Sequence, residues 1–477
     1  MSEGCTIAII GAGFSGTALA INLLRLASER PLSIALISDA GWARGIAYAR
    51  RPYPYLLNVP AGRMSASSAD ASEFLRFARR HLPRASAHDF LPRELYGDYL
   101  ESTLAHAELV APPAVRLQRV RGEAIALESA RSAADTGVYL ADGRMVRAAR
   151  VVLAVGNPPP AALPGTEALH GHGGYTADPW AAPPRFRRGE SVLLVGAGLT
   201  MVDVAVAGCA GARDLTLHAI SRHGLRPAAQ SSAGVREPAP DAAALLRAAR
   251  SARGLLRSVR ELAQELEARG GDWREAVLFV RTLVPALWRA LPESERRRFL
   301  RHLRSHWEVH RHRLPPLTAA TLAQLQRSGR LRVSAGRILV CEPHAGRIRV
   351  SWRARGERAT QVLHVDRIVN CSGPQYDPRH VDSRLLRSLQ AQGAALADPL
   401  GLGLLTGEHG ALRDRSGRTS SRHFYLGPML RPQGWETTAV PELRAHAERL
   451  AQHLLRGLPL RTKHGEYAPA PVAGLRA

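Results

Sequence analysis

Three glycines spaced as Gly11-x-Gly13-x-x-Gly16 follow the apolar run Thr6-Ile-Ala-Ile-Ile10 and precede the small-residue stretch from Thr17 to Ala27. Between a strand and a helix, this spacing suits the diphosphate of a dinucleotide. Gly11 permits the tight turn, Gly13 lets the backbone approach the phosphates, and Gly16 lets helix and strand pack closely. The helix N-terminus, with Phe14 and Ser15 in its first turn, then offers unpaired amides to the negative charge. The competing reading is a purely structural βα turn. The pattern recurs where Ser191-Val-Leu-Leu-Val195 runs into Gly196-Ala-Gly198-Leu199-Thr200-Met201. Met201 stands where the third glycine is usual, but the first two glycines carry the phosphate approach, so the site survives.

The strand after such a loop usually ends in an acid that takes the ribose hydroxyls, about 20 residues on. After the first loop, the strand Ser33 to Ile37 is followed by Ser38 and only then Asp39. Asp39 is therefore either a ribose ligand displaced by one place or a turn residue. After the second loop, Leu215 to Ile220 leads into Ser221-Arg222, with no acid. A serine and a guanidinium suit a 2′-phosphate, which an aspartate would repel, so this site favours NADPH over NADH. The other reading of Arg222 is one more solvated arginine.

These residues need elements to hold them. Val115 to Leu127 and Val138 to Val155 alternate apolar residues with turn signals such as Asp142-Gly143, as a strand meander does. The Pro-rich stretch from Pro158 to Pro164 marks a boundary. From about Pro240 to Pro315 the period becomes helical, with Leu255, Val259, Leu262 and Leu266 on one face and Trp273, Val277, Val280 and Val284 on another. Strand-like segments return over Leu331 to Val350 and Val362 to Cys371, a helix over about Pro441 to Leu455, and an irregular tail from Gly457. At 477 residues the chain exceeds what one core supports, so two or three folding units are expected.

The net charge of +24 raises nucleic acid as a partner. The excess is arginine dispersed through every segment, and Lys463 is the only lysine. Arginine-rich codon usage explains this, or attraction of anionic cofactors and substrates; no basic block points to nucleic acid. Four cysteines, Cys5, Cys209, Cys341 and Cys371, lie far apart. That excludes a disulfide framework, a zinc site and a redox dithiol, and they read as small buried hydrophobes. No export signal and no run of about 18 apolar residues is present, so a cytoplasmic protein without a membrane span is expected. No metal site is indicated, and the sequence is silent on oligomeric state.

The order of the two glycine loops, with the strand-ending glycines of Val151-Val-Leu-Ala-Val-Gly156 and Ile368-Val-Asn-Cys-Ser-Gly373, resembles the two-dinucleotide flavoproteins, which include the flavin monooxygenases. Further motifs are Gly45-Ile-Ala-Tyr48, Leu57-Asn-Val-Pro-Ala61 with Met64, Tyr96-Gly-Asp-Tyr99, Arg311-His-Arg-Leu-Pro-Pro316 and Trp435-Glu-Thr-Thr-Ala-Val-Pro-Glu-Leu-Arg444. They resemble the bacterial FAD/NAD(P)-binding subfamily that contains the nitrosuccinate-forming aspartate N-monooxygenases and a proposed urate hydroxylase. The likeness runs from residue 6 to about 455.

The resemblance implies an α/β protein with two Rossmann-type domains and a helical insertion. Residues 1–160 and 366–477 would bind FAD; residues 161–365, with the insertion at about 240–315, would bind NADPH. It further implies that Asn58 lies beside the flavin ring, that Val120 contacts the adenine end, and that Gly427 to Thr438 closes over the isoalloxazine. Tyr48, Val59, Met64, Gly156, Trp435, Thr437 and Thr438 join the FAD set on the same ground. An Asn side chain both donates and accepts, which suits flavin N5 and O4. A turn residue ahead of Pro60 is the other reading of Asn58, and a packing aromatic that of Trp435.

The activity implied is monooxygenation of a small molecule with NADPH and molecular oxygen, most directly N-hydroxylation of an amine or amino acid through a flavin C4a-hydroperoxide. The cofactor carries the hard step, so no acid–base triad is required and none is visible. Arg311 and Arg313 read either as a bidentate grip on a substrate carboxylate or as a solvated basic turn. Two alternatives stand beside this: a flavin reductase or oxidase that inserts no oxygen, and a non-catalytic flavin or nucleotide sensor. Disulfide reductases share the architecture, but their chemistry needs paired cysteines.

Overall fold

The structure is a computed structural model that describes residues 5–27, 31–128, 135–231 and 242–456. The tail from Gly457 lies outside the described residues. Strands run in chain order as β1 (Cys5–Ile10), β2 (Leu32–Ser38), β3 (Val115–Arg121), β4 (Ala124–Glu128), β5 (Thr136–Leu140) and β6 (Met145–Leu153). They continue as β7 (Tyr175–Thr176), β8 (Ser191–Val195), β9 (Thr216–Ser221), β10 (Leu331–His344), β11 (Arg347–Ala354), β12 (Thr360–Val365) and β13 (Arg367–Asn370). β14 (Ala411–Arg413) and β15 (Thr419–Tyr425) close the series.

The strands form two sheets. In the first the order is β14-β15-β6-β1-β2-β3, with β5 and then β4 continuing antiparallel from β6. In the second the order is β12-β11-β10-β9-β8-β13-β7. Each contains the same parallel core: β15-β6-β1-β2-β3 corresponds to β7-β13-β8-β9-β10. The expected meander is β4-β5-β6, whereas β3 is a parallel neighbour of β2. β1 and β8 are continuous apolar runs because both faces of a parallel strand are covered. Ile7 to Ile9 and Val192 to Leu194 are fully buried, and burying a side chain of that size stabilises by about 2 kcal/mol.

Contacts divide the chain into two units. One comprises residues 1–50, 60–157 and 376–477, the other 51–59 and 158–375. The first has a core of Ile10, Ile37, Val151, Leu153, Leu385, Leu389 and Tyr425. In the second, Val192, Leu194, Met201, Val202, Leu217 and Val369 form the corresponding core, with Tyr53 packed against it. The sequence predicts 51–59, 158–160 and 366–375 as parts of the first unit; the contacts put all three in the second, the last because β13 pairs with β8.

The insertion is helical, as its periodicity predicts: Ala242–Ala248, Ala252–Ala268, Trp273–Ala290, Glu293–His302 and Arg304–Arg311. Ser251 and Asp272 cap the second and third of these helices by accepting from Gly254 N at 3.0 Å and Arg274 N at 2.8 Å. Val277, Val280 and Val284 are buried, whereas Leu255, Val259, Leu262 and Leu266 are only half-buried. No helix among the described residues is long and apolar enough to cross a membrane.

One core contact has a pH signature. His423 on β15 lies 3.1 Å from Thr136 Oγ1, and burial pulls its imidazole down to about 4. The unfolded chain takes up that proton near pH 6.5, while the folded chain resists until about 4, so stability falls as pH drops through this window. The loss reaches about 3 kcal/mol. Urea titrations between pH 7 and 4 should show a shallower decline for His423→Gln than for the parent. Equal slopes would refute the assignment.

Candidate functional site

The two glycine turns are built alike. Gly11, at the end of β1, has φ +106° and donates its N–H to Ile37 O on β2 at 2.8 Å. Gly196, at the end of β8, has φ +119° and donates to Ile220 O on β9 at 2.9 Å. A Cβ on Gly11 would strike the carbonyl of Ala154 beyond β6, and one on Gly196 the carbonyl of Cys371 beyond β13. Gly16 is pressed against Gly11 O. These glycines are required by the fold itself.

Gly13 and Gly198 are not. They cap the helices Phe14–Leu26 and Leu199–Gly211 with ordinary extended backbones, φ/ψ −76°/−164° and −85°/−163°. A Cβ on Gly13 would meet only Gly45 Cα, at 3.7 Å, and one on Gly198 would meet nothing within 4 Å. Neither helix has a side-chain cap or an acid in its first turn. The open face at each second glycine, beside free helix N-termini, is a cradle that a methyl group would fill and a diphosphate fits.

The other members of the first set, apart from Asn58 and Val59, belong to the same unit as this turn. Phe14 and Ser15 are buried in the first helical turn, and Val120 is buried on β3 opposite Ile37. β2 ends at Ser38, whose Oγ accepts from Ala40 N at 3.3 Å, and leaves Asp39 exposed. Tyr48 packs edge-on against Tyr96, with ring centroids 4.7 Å apart. Met64 is buried, and Gly156 turns with φ +72° after β6. In the C-terminal segment Gly427 has φ +154°, Thr437 is buried and donates to Pro428 O at 3.3 Å, and Thr438 is half-buried. Trp435 is buried with φ +54°, its ring 4.0 Å from the Arg431 guanidinium carbon. Asn58 and Val59 belong to the second unit instead, where Asn58 O accepts from Gln230 Nε2 at 3.4 Å.

Sequence reasoning missed what fixes the loop over Gly13. Gly45, at φ +54°, lays its backbone beside Gly13, and it is Gly45 that must lack a side chain, since a Cβ on it would stand 3.0 Å from Gly13 Cα. Arg44 holds that segment by donating to Glu101, Glu94 O and Asp98. Nothing in the spacing of Arg44 relative to Glu94, Asp98 and Glu101 announced this, although the acids sit one helical turn apart.

In the second set, Leu199 and Thr200 are half-buried beside the cradle. Met201 is fully buried in the hydrophobic core, so its side chain serves packing while its backbone serves the turn. Ser221 ends β9 and accepts from Gly224 N at 3.1 Å; Arg222 is exposed.

Arg311 and Arg313 are both buried, with 8% exposure each, which overturns the solvated-turn reading. Arg313 donates from Nε to Gln230 Oε1 at 2.8 Å and from Nη1 to His310 O at 3.3 Å. Trp273 lies beside the guanidinia of Arg274 and Arg313, at 4.5 and 5.9 Å. Burial, and then the positive charges of Arg311 and Arg274, pull Arg313 down to about 10. A guanidinium under that stress is stabilised by an anion. Gln230 and Arg274 carry no sequence signal, and Trp273 reads in the sequence only as part of an apolar helix face.

Cys341 and Cys371 are buried free thiols, and Cys209 is a half-buried one; burial pushes Cys341 up to about 12 and raises the other two as well. None is poised as a thiolate. Among the described residues no cluster of His, Cys, Asp and Glu could hold a metal ion.

Residues 8–158 match the FAD-NAD(P)-binding family model. No curated protein sequence matches the chain. Solved structures match its fold over nearly the whole chain, among them the following three. The ornithine hydroxylase of Pseudomonas aeruginosa, in reduced form, is 16% identical, with 96% of this chain and 100% of that chain covered and a TM-score of 0.63. The L-lysine 6-monooxygenase of Pseudomonas syringae is 17% identical, with 95% and 100% covered and a TM-score of 0.63. The ornithine N-hydroxylase of Kutzneria sp. 744, solved with reduced FAD, NADP+ and L-ornithine, is 16% identical, with 95% and 99% covered and a TM-score of 0.61. The chain is thus an α/β protein with the fold of the two-dinucleotide-binding flavoproteins, carrying an FAD-NAD(P)-binding module over residues 8–158.

Proposed function

We propose that this protein is an FAD- and NADPH-dependent monooxygenase that N-hydroxylates an amine or amino acid. The observation that carries the reading is the pair of open cradles at Gly13 and Gly198, glycines that neither backbone conformation nor packing demands. The first would hold FAD through the amides following Gly13, the second NADPH through those following Gly198. Bound flavin would supply the transfer of electrons from the nicotinamide to oxygen and of one oxygen atom to the substrate. The solved proteins of this fold with ornithine or lysine in their names support the amino-acid class.

The chain's own contribution is binding and orientation. The Gly11 and Gly196 turns fix two helix N-termini, whose amides would take the charge of the diphosphates. In the second unit the buried Arg313, steered by Gln230, would take the carboxylate of an amino-acid substrate. Arg313→Ala should then raise the substrate KM about 30-fold, and Arg313→Lys, which keeps charge but loses the planar fork, about 5-fold. Steady-state kinetics on both variants, with circular dichroism to check folding, measure this; an unchanged KM in a folded Ala variant discards the role.

The direct test is to purify the protein, record its flavin spectrum, and screen amines and amino acids for those that accelerate NADPH consumption and yield a hydroxylated nitrogen. NADPH consumption that yields only hydrogen peroxide under every substrate would favour an oxidase. A protein that NADPH does not reduce would be a sensor.

A further inference from the structure

The second unit gathers basic side chains from three separate segments at the end of β9. Ser221 is the last residue of that strand and pairs in register with Ala335 of β10. Gly224, at φ +62°, folds the chain back against the same residue, where a Cβ would lie 3.1 Å from Ala335 N. Arg355, just past β11, also docks there: its N–H donates to Ala335 O at 2.9 Å. Its Nη1 then reaches His223 Nδ1 at 3.0 Å. From the helical insertion, His306 stands with its ring centroid 6.4 Å from that of His223. Arg222, His223, Arg355 and His306 thus surround one turn.

Charge compensation is missing there. Some arginines elsewhere in this unit pair with acids, as Arg188 does with Asp214 and Arg347 with Asp366. Among the described residues, neither Arg222 nor Arg355 makes an ion pair, and the side chain of Arg355 has only the neutral imidazole as partner. Partial burial, then the charges of Arg355, Arg222 and His306, lower the pKa of His223, as a locally positive field requires. In a strand–glycine–helix unit, the end of the second strand is where the adenosine ribose is read.

We propose that Arg355 is the second guanidinium of a subsite for a ribose 2′-phosphate, acting with Arg222 from the end of β9 and with His306 contributed by the helical insertion. The inference rests on the reading that the second glycine loop holds a nicotinamide dinucleotide. It assigns the choice of NADPH over NADH to a residue some 130 positions beyond the strand end, on a hairpin that glycine-loop motifs do not include. Both guanidinia are exposed, so each contributes through a hydrated, salt-screened pair.

The experiment is calorimetric titration of the purified flavin-loaded protein with NADP+, NAD+ and adenosine 2′,5′-bisphosphate. The parent should bind NADP+ at least about 30-fold tighter than NAD+ at low salt, a preference that shrinks as salt rises. Arg355→Ala should weaken NADP+ and the bisphosphate about 10-fold while NAD+ moves less than about 2-fold, and Arg355→Lys should recover part of the loss. Adding Arg222→Ala should bring NADP+ down to the NAD+ level. Arg355→Ala binding NADP+ as the parent does, or a parent that binds both nucleotides equally, overturns the proposal while leaving the second-loop reading intact. Binding of neither nucleotide overturns both.

Discussion

Alanine at Gly13 should give a folded, colourless protein. The backbone there is φ −76° and ψ −164°, open to any residue, and the added methyl would reach ordinary contact with Gly45 Cα at 3.7 Å. The apo fold therefore loses no more than the about 1 kcal/mol that separates glycine from alanine at a helix cap. The methyl does occupy the face where a diphosphate must approach the backbone, and a displaced diphosphate costs at least about 100-fold in affinity. Flavin content after purification, read at 450 nm, and the melting temperature of both proteins stripped of flavin measure the two effects separately. Comparing stripped proteins matters because bound flavin itself raises the melting point by mass action. A yellow Gly13→Ala protein with parental flavin content would remove the first site. Gly11→Ala makes the contrasting control: with φ +106° and the Ala154 carbonyl in the way, it should fail to fold rather than fail to bind.

The same substitution in the second loop should separate the coenzymes. Gly198→Ala should leave a fully yellow protein, because its Cβ meets nothing within 4 Å and the flavin loop is untouched. Its KM for NADPH should rise at least about 30-fold, by the same displacement of the diphosphate. Rapid-mixing absorbance should show slow flavin reduction by NADPH and unimpaired reduction by dithionite. Parental reduction kinetics with NADPH would place the nicotinamide coenzyme elsewhere.

Both loops were legible because each joins two strong local signals, a continuous apolar strand and glycines at fixed spacing, and because parallel strands bury both faces. The helical insertion was legible from its period, and β4-β5-β6 from alternation around Asp142-Gly143. Three kinds of feature were not. β7 spans two residues, too few to show any period. The segment 51–59 carries Pro52 and Pro54 and has no period at all, so its membership of the second unit follows from tertiary contacts: Tyr53 on the core, Tyr55 edge-on to Trp180, and Arg51 donating to Trp180 O at 2.7 Å. The burial of Arg311 and Arg313 ran against composition, since two arginines flanking a histidine look solvated until a glutamine 83 residues away is brought to one of them. Long-range polar contacts such as Gln230 to Arg313, or Arg355 to His223, leave no imprint on local sequence. The fold was therefore readable where it is repetitive, and the site where it is backbone or where a basic side chain follows a strand; the distant partners of those side chains were not.

The nine residues from 51 to 59 also limit how the molecule can be taken apart. A fragment cut at the obvious borders, 158–375, would leave behind Tyr53 and Arg51 and with them a wall of its own interior. The polypeptide passes between the halves four times, so the nucleotide module is not a cassette that recombination or cloning can lift out in one piece. Swapping it between relatives would demand grafting two stretches at once.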